Sequence, residues 1–304
     1  MNSSIFNFKR YFVTILIITL SLLSVCLGSA EIYLRSQSKK IQNKNDYRQR
    51  LINGHAPWVA VGDSHVANGL LSTDWLDNLG QPSDNLESII SKLEIRMERP
   101  GLKGIILPAD AQIFAFYRLT ADQRTRIQEL LDDSSSPLLI LQTANKQYLT
   151  SLVWSLVTNP ASLWLTDQEG ERTDVLPDPK SEKWRKDAQL RVQLHTPVRE
   201  IKTTLAAERY WRMVREIKMK GIKVCMVAYP LSSAYRQAIG INHNFAVVKD
   251  FYAEIAAIEK VRYVDASALI PDALFGDPDH LSDRGAIELT SRLFLECDVA
   301  DTKL

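Results

Sequence analysis

Residues 59–65 read Val-Ala-Val-Gly-Asp-Ser-His, VAVGDSH, and their reading decides the fold. A short apolar run, rich in β-branched residues, stops abruptly at Gly62-Asp63-Ser64-His65. That is the pattern of a buried strand ending in a turn. It leaves a serine, flanked by an acid and an imidazole, at the strand's carboxyl end.

Working outward, three more runs share this character: GIILP at 104–108, IKVCMVAYP at 222–230 and VRYVDAS at 261–267. A weaker run, DWLDNLG at 74–80, reads as an edge strand. Helical patterns lie between them. Residues 85–96 place Leu86, Ile89, Ile90 and Leu93 on one face. Residues 205–220 form a second helix that stops at Gly221, a suitable C-cap, and Ala286 to Cys297 forms a last one. Strands alternating with helices imply a parallel, doubly wound α/β sheet. The stretch from about 112 to 204 breaks this rhythm and reads as a long, mostly helical insertion that covers or shapes a site. It holds the apolar run SSSPLLILQ and the tryptophans Trp154 and Trp164.

Tyr11 to Ala30 contains no charge and is about as long as a helix that crosses the hydrocarbon core. Lys9 and Arg10 precede it. It reads as a transmembrane anchor, with a cleaved signal peptide as the alternative. The expected division is a cytoplasmic N-terminus at 1–10, the anchor at 11–30, a polar juxtamembrane stem at 31–56 and one domain at 57–304. That domain is expected outside the cytoplasmic membrane, in the periplasm, or secreted if the leader is cleaved.

The chain has 304 residues, a hydrophobic fraction of 45% and a formal net charge of +1. It can bury one sizeable core. Its charge balance gives no sign of a nucleic-acid partner. Three cysteines are too few for a disulfide scaffold. Cys225 and Cys297 read as small buried hydrophobes, and the sequence does not fix a bond between them. His55, His195 and His243 form no metal-ligand spacing, so neither a metal nor another cofactor is expected.

In an open parallel sheet, ligands bind beyond the carboxyl ends of the strands, where Ser64 sits. A serine hydroxyl becomes a nucleophile when a histidine, oriented by a carboxylate, takes its proton. FGDPDHLSDRGA at 275–286 offers both: Asp277 and His280, spaced Asp-x-x-His, on the loop after the last strand.

Gly62-Asp63-Ser64 early in the domain, with Asp277-x-x-His280-Leu281 near its end, resembles the first and last sequence blocks of the SGNH, or GDSL-type, hydrolase superfamily. The resemblance implies a flavodoxin-like three-layer sandwich and chemistry on acyl esters, with Ser64, His280 and Asp277 as the catalytic residues. It makes the backbone N–H groups of Ser64 and Gly80 oxyanion donors. Asp110, in ILPADAQIF, stands where the superfamily usually places an asparagine whose amide completes the oxyanion hole. An ionised aspartate only accepts hydrogen bonds, so Asp110 is a departure from the pattern. His65 and Arg236 are candidate substrate contacts.

The anchored topology and the segment VAYPLSSAYRQ resemble a membrane-anchored branch that accompanies cell-envelope or exopolysaccharide O-acylation. The expectation is therefore an esterase or O-acetyltransferase acting on an acyl-ester or carbohydrate substrate. A membrane-bound acyl-carrier protein is the implied partner of a transferase. The alternative is a non-catalytic scaffold or polysaccharide-binding subunit of such a system.

Overall fold

The charge-free N-terminal stretch is helical. Helix α1 spans Ser3–Ser36 and α2 spans Lys39–Asn53 in the computed structural model. The structure describes residues 3–36, 39–120 and 178–300, together with Leu138, Ile140, Thr150, Trp154 and Thr158. Residues 10–32 of α1 have a mean hydropathy of 2.3 over 23 residues. That length and composition suit a single membrane anchor or a signal sequence. The chain divides into two compact units, residues 1–46 with 128–172 and residues 47–127 with 173–304.

The second unit carries the sheet. Strand β1 is Trp58–Gly62, followed by helix α3, Ser64–Gly69, and β2, Leu76–Gly80. Helix α4, Leu86–Met97, leads to β3, Gly104–Pro108, and a short α5, Phe116–Leu119. Helix α6, Glu182–His195, belongs to the stretch read as an insertion, and α7, Leu205–Met219, and β4, Lys223–Ala228, follow it. Helices α8, Ser233–Ile239, and α9, His243–Glu259, precede β5, Arg262–Asp265. A two-stranded hairpin, β6 at Phe275–Asp277 and β7 at His280–Leu281, precedes α10, Asp283–Glu296.

The five long strands are all parallel, in the order β2-β1-β3-β4-β5. That is the flavodoxin-like doubly wound order. Side chains alternate across the sheet as strand geometry requires. Trp58, Ala60, Ile106, Cys225 and Val227 join a core with Val66, Leu289 and Leu293 of α3 and α10. The alternate residues Val59, Val61, Ile105, Leu107, Val224 and Met226 are also buried. Helices α4, α7 and α9 contact β1, β4 and β5. Three layers result. The weak run at 74–80 does lie at the edge, paired only with β1.

Helices α8 and α9, the β6–β7 hairpin and a disulfide went beyond the sequence reading. Helix α9 was unforeseen; it is apolar on several faces and ends at Lys260 in the left-handed region, φ 52°, instead of at a glycine. Cys225 and Cys297 are disulfide-bonded across 72 residues, joining the centre of β4 to the C-terminal end of α10. By contrast, Gly221 ends α7 as expected. With φ 74° it lets the Gly221 and Ile222 N–H groups close on the carbonyls of Lys218 and Ile217. Of the insertion, Trp164 and most of the run at 134–142 lie outside the described residues, and Trp154 is exposed.

Candidate active site

The elbow between β1 and α3 depends on Gly62. Its φ is +153°, and a Cβ there would meet Val66 Cγ2 at 2.3 Å. Asp63 then caps α3, its Oδ1 accepting the His65 N–H at 2.9 Å. Its Oδ2 accepts from Arg118 Nη2 at 2.9 Å. Ser64 thus opens the helix, half-buried, and its own N–H has no hydrogen-bond partner among the described residues.

The histidine arrives on the β6–β7 hairpin. Asp277 Oδ1 accepts the N–H groups of Asp279, at 3.0 Å, and of His280, at 2.8 Å. This locks the turn that aims the imidazole. Asp277 Oδ2 lies 2.7 Å from His280 Nδ1, and His280 Nε2 lies 2.8 Å from Ser64 Oγ. With Nδ1–H donating to Asp277, Nε2 is left to accept the serine proton. The structure therefore brings Ser64, His280 and Asp277 into one hydrogen-bonded chain.

It places the other expected residues differently. Gly80 lies level with Gly62 in the sheet, and a Cβ on it would meet the Ala67 nitrogen at 2.4 Å. Its lack of a side chain lets α3 lie against β2. Its N–H donates to Asn78 Oδ1 at 2.8 Å, so an oxyanion at Gly80 would have to displace that bond. Asp110 is buried with both oxygens engaged: Oδ1 accepts the Tyr229 N–H at 2.8 Å, and Oδ2 lies 3.2 Å from His65 Nδ1. Arg236 donates through Nη1 to the carbonyls of Leu231 and Ser267. It ties two loops together, with no contact to Ser64 or His280. His65 is 3% exposed, so it lies behind the serine and not on a substrate surface.

Behind the chain is a buried polar cluster that the sequence reading did not assemble. His65 Nε2 is 3.5 Å from Asp279 Oδ2, and His195 Nδ1 is 3.6 Å from the same oxygen. Arg191 Nε is 3.6 Å from Asp279 Oδ1. Gln112 Nε2 sits among Asp63, His65 and Asp110. Burial disfavours a charged His65, yet the carboxylates of Asp110 and Asp279 outweigh it and raise its pKa well above the usual imidazole value. Burial raises Asp110. Burial would also raise Asp279, but the His65 hydrogen bond and the His280 charge hold it far below the usual carboxylate range. Burial, helped by the His65 charge, lowers His195 to about 4. Its Nδ1 lies 3.0 Å from the Tyr235 hydroxyl.

His65, His195 and Asp279 present donor atoms within 4.8 Å of one another, as do Asp63, His65 and Asp110, and Asp277, Asp279 and His280. These are the residues that could hold a metal ion, although chain spacing pointed to none. Each of them already has a protein partner.

No protein-family model matches the sequence, and no curated protein matches it. Solved structures do. A Streptococcus pneumonia chain, provisionally described as a platelet activating factor, is 12% identical with a TM-score of 0.43, covering 91% of this chain and 96% of that one. A Bacteroides fragilis chain, provisionally described as an acylhydrolase, is 10% identical with a TM-score of 0.43, covering 85% and 97%. Likeness this loose carries no chemistry across, so the reading of the site rests on its own geometry.

Proposed function

We propose that this protein is a serine-dependent acyl-ester enzyme. The observation that carries the proposal is the unbroken chain from Ser64 Oγ through His280 to Asp277, with steps of 2.8 and 2.7 Å. Ser64 attacks an ester carbonyl, and its proton passes to His280 Nε2. Asp277 holds the ring and offsets the imidazolium charge. The Ser64 N–H faces the developing oxyanion. His280 returns the proton to the leaving alcohol, and an acyl-enzyme remains for water or a second hydroxyl to take. The disulfide between Cys225 and Cys297 supports a location in an oxidising compartment, outside the cytoplasmic membrane. Carbohydrate as acceptor, acetyl as the acyl group and a membrane acyl-carrier partner follow from the SGNH resemblance alone.

One observation favours a second reading, a glycan-binding subunit without turnover. The Gly80 N–H and both Asp110 oxygens are committed within the protein, which leaves one of the three expected oxyanion groups. A single experiment separates the two. The full chain in detergent is treated with a fluorophosphonate and its intact mass is read, beside Ser64→Ala and His280→Ala. An adduct that needs both residues is expected. A folded wild-type chain that takes no adduct would leave the binding reading.

A further inference from the structure

Ser64 and His280 come from elements 216 residues apart, yet they must meet within hydrogen-bond distance. Their chain neighbours make a second link beside the first. His65, next to Ser64, faces Asp279, next to His280, with Nε2 3.5 Å from Oδ2. The two imidazole rings stand edge to face, centroids 5.5 Å apart. On its far side, His65 Nδ1 meets Asp110 Oδ2.

We propose that His65 is a positioning residue, a buried strut held by Asp110 that sets the separation of the nucleophile's helix from the histidine's hairpin. The proposal rests on the acyl-ester reading above. It also explains why an aspartate stands at position 110.

The proton arithmetic fixes the strut's direction. One proton lies between Asp110 Oδ2 and His65 Nδ1. If the imidazole holds it, Nδ1–H donates to the carboxylate. If the carboxyl holds it, Nδ1 accepts. Asp279, held ionised, can only accept, so in both states the nitrogen that faces it, Nε2, is the one that carries a proton. Asp110 is anchored in turn: the Tyr229 N–H donates to its Oδ1, and the Tyr252 hydroxyl donates to its main-chain oxygen at 3.1 Å. The strut therefore runs from the end of β3 through α3 to the hairpin. Asp279 also faces Arg191, His195 and His280. It is 2% exposed, so bulk solvent does not reach the link.

The test uses the full chain in detergent, with His65→Leu and His65→Gln. Leucine keeps bulk and removes the donor; glutamine's amide reaches about as far as Nε2 and keeps it. Each variant is read by its phosphonylation rate and by kcat and KM for p-nitrophenyl acetate. Misplacing a catalytic group by about 1 Å costs roughly 100-fold. His65→Leu is expected to lose about that much in kcat and labelling rate, with KM within about twofold, and His65→Gln to recover at least tenfold of the loss. A substrate contact would instead raise KM. Equal losses in both variants, or kcat kept within threefold in His65→Leu, overturns the strut. If His65→Leu does not fold, Asp279→Asn is read the same way, and an unchanged rate is the overturning result. If the wild type neither labels nor turns over, the acyl-ester reading fails by itself. The strut is then decided by the ring nitrogen resonances of His65: a protonated Nε2 at pH 7 supports it, and a bare Nε2 overturns it.

Discussion

Cutting the disulfide measures how far the site depends on a distant covalent link. Cys225 and Cys297 close a loop of 72 residues, and both side chains are buried. The entropy of an unfolded chain released from such a loop corresponds to about 4 kcal/mol at 25 °C. For a domain of this size the urea slope is about 2–3 kcal/mol per molar, so Cys225→Ala/Cys297→Ala should lower the unfolding midpoint by about 1.3–2 M. The slope itself should rise, because the unlinked denatured chain is more expanded. The assay is urea unfolding of the full chain by circular dichroism, with fluorophosphonate labelling at each concentration. Helix α10, which ends at Cys297, contacts α3, which begins at Ser64. Labelling should therefore fail at the same lowered midpoint as the fold. A shift below about 0.3 M at an unchanged slope would refute the loop-entropy reasoning. Loss of labelling well before unfolding would refute the claim that link and site belong to one cooperative unit.

Three further outcomes follow from the described geometry. Gly80→Ala should destabilise by about 1–3 kcal/mol, because the new Cβ meets backbone that cannot swing aside; a melting temperature equal to wild type would contradict the close approach of α3 to β2. Stability should peak near pH 6.5. The folded His195 protonates only near 4, against an ordinary 6.5. Between those values the unfolded chain binds the extra proton, and stability falls with pH by about 3 kcal/mol in total. His65, raised when folded, has the opposite sign. Its contribution is complete below 6.5 and is lost as pH climbs through the raised value. His195→Gln should flatten the acid side of a melting profile and leave the alkaline side; an unchanged acid side would show that His195 is not its source. Finally, Asp277→Asn should slow labelling by at least about 100-fold while preserving the fold, since an amide there cannot be relied on to hold the accepting tautomer. Full-rate labelling would remove Asp277 from the proposed chain.

Much of the sheet was legible because buried strands write themselves as short apolar runs. Trp58–Gly62 and Gly104–Pro108 fall where the sequence put them. The edge strand β2 gave a weaker signal because Asp77 and Asn78 interrupt its apolar run; Asp77 meets Arg96 of α4, and Asn78 holds the carbonyls of Val66 and Leu70. Both are tertiary partners that no local pattern announces. Helix α9 escaped because apolar residues on several faces blur the 3.6-residue period, and its left-handed stop is a lysine. Around the site, Ser64, His280 and Asp277 were readable from their spacing, whereas the buried role of Asp279 was not. Asp-x-Asp-His leaves either acid within reach of the ring, and only the hairpin's backbone turns one toward Nδ1 and the other into the interior. His65 read only as a candidate substrate contact because its partners lie 45 and 214 residues away, beyond any local motif.

The order of the parts along the chain has a consequence for biosynthesis. Ser64 lies near the start of the folded unit, and His280 lies 216 residues later, just before the last helix. A chain made from its N-terminus presents the hydroxyl first and the imidazole among the last. Until the final hairpin docks, Ser64 is chemically an ordinary alcohol. On the acyl-ester reading proposed above, the nascent chain is therefore silent until its last hairpin is made and docked.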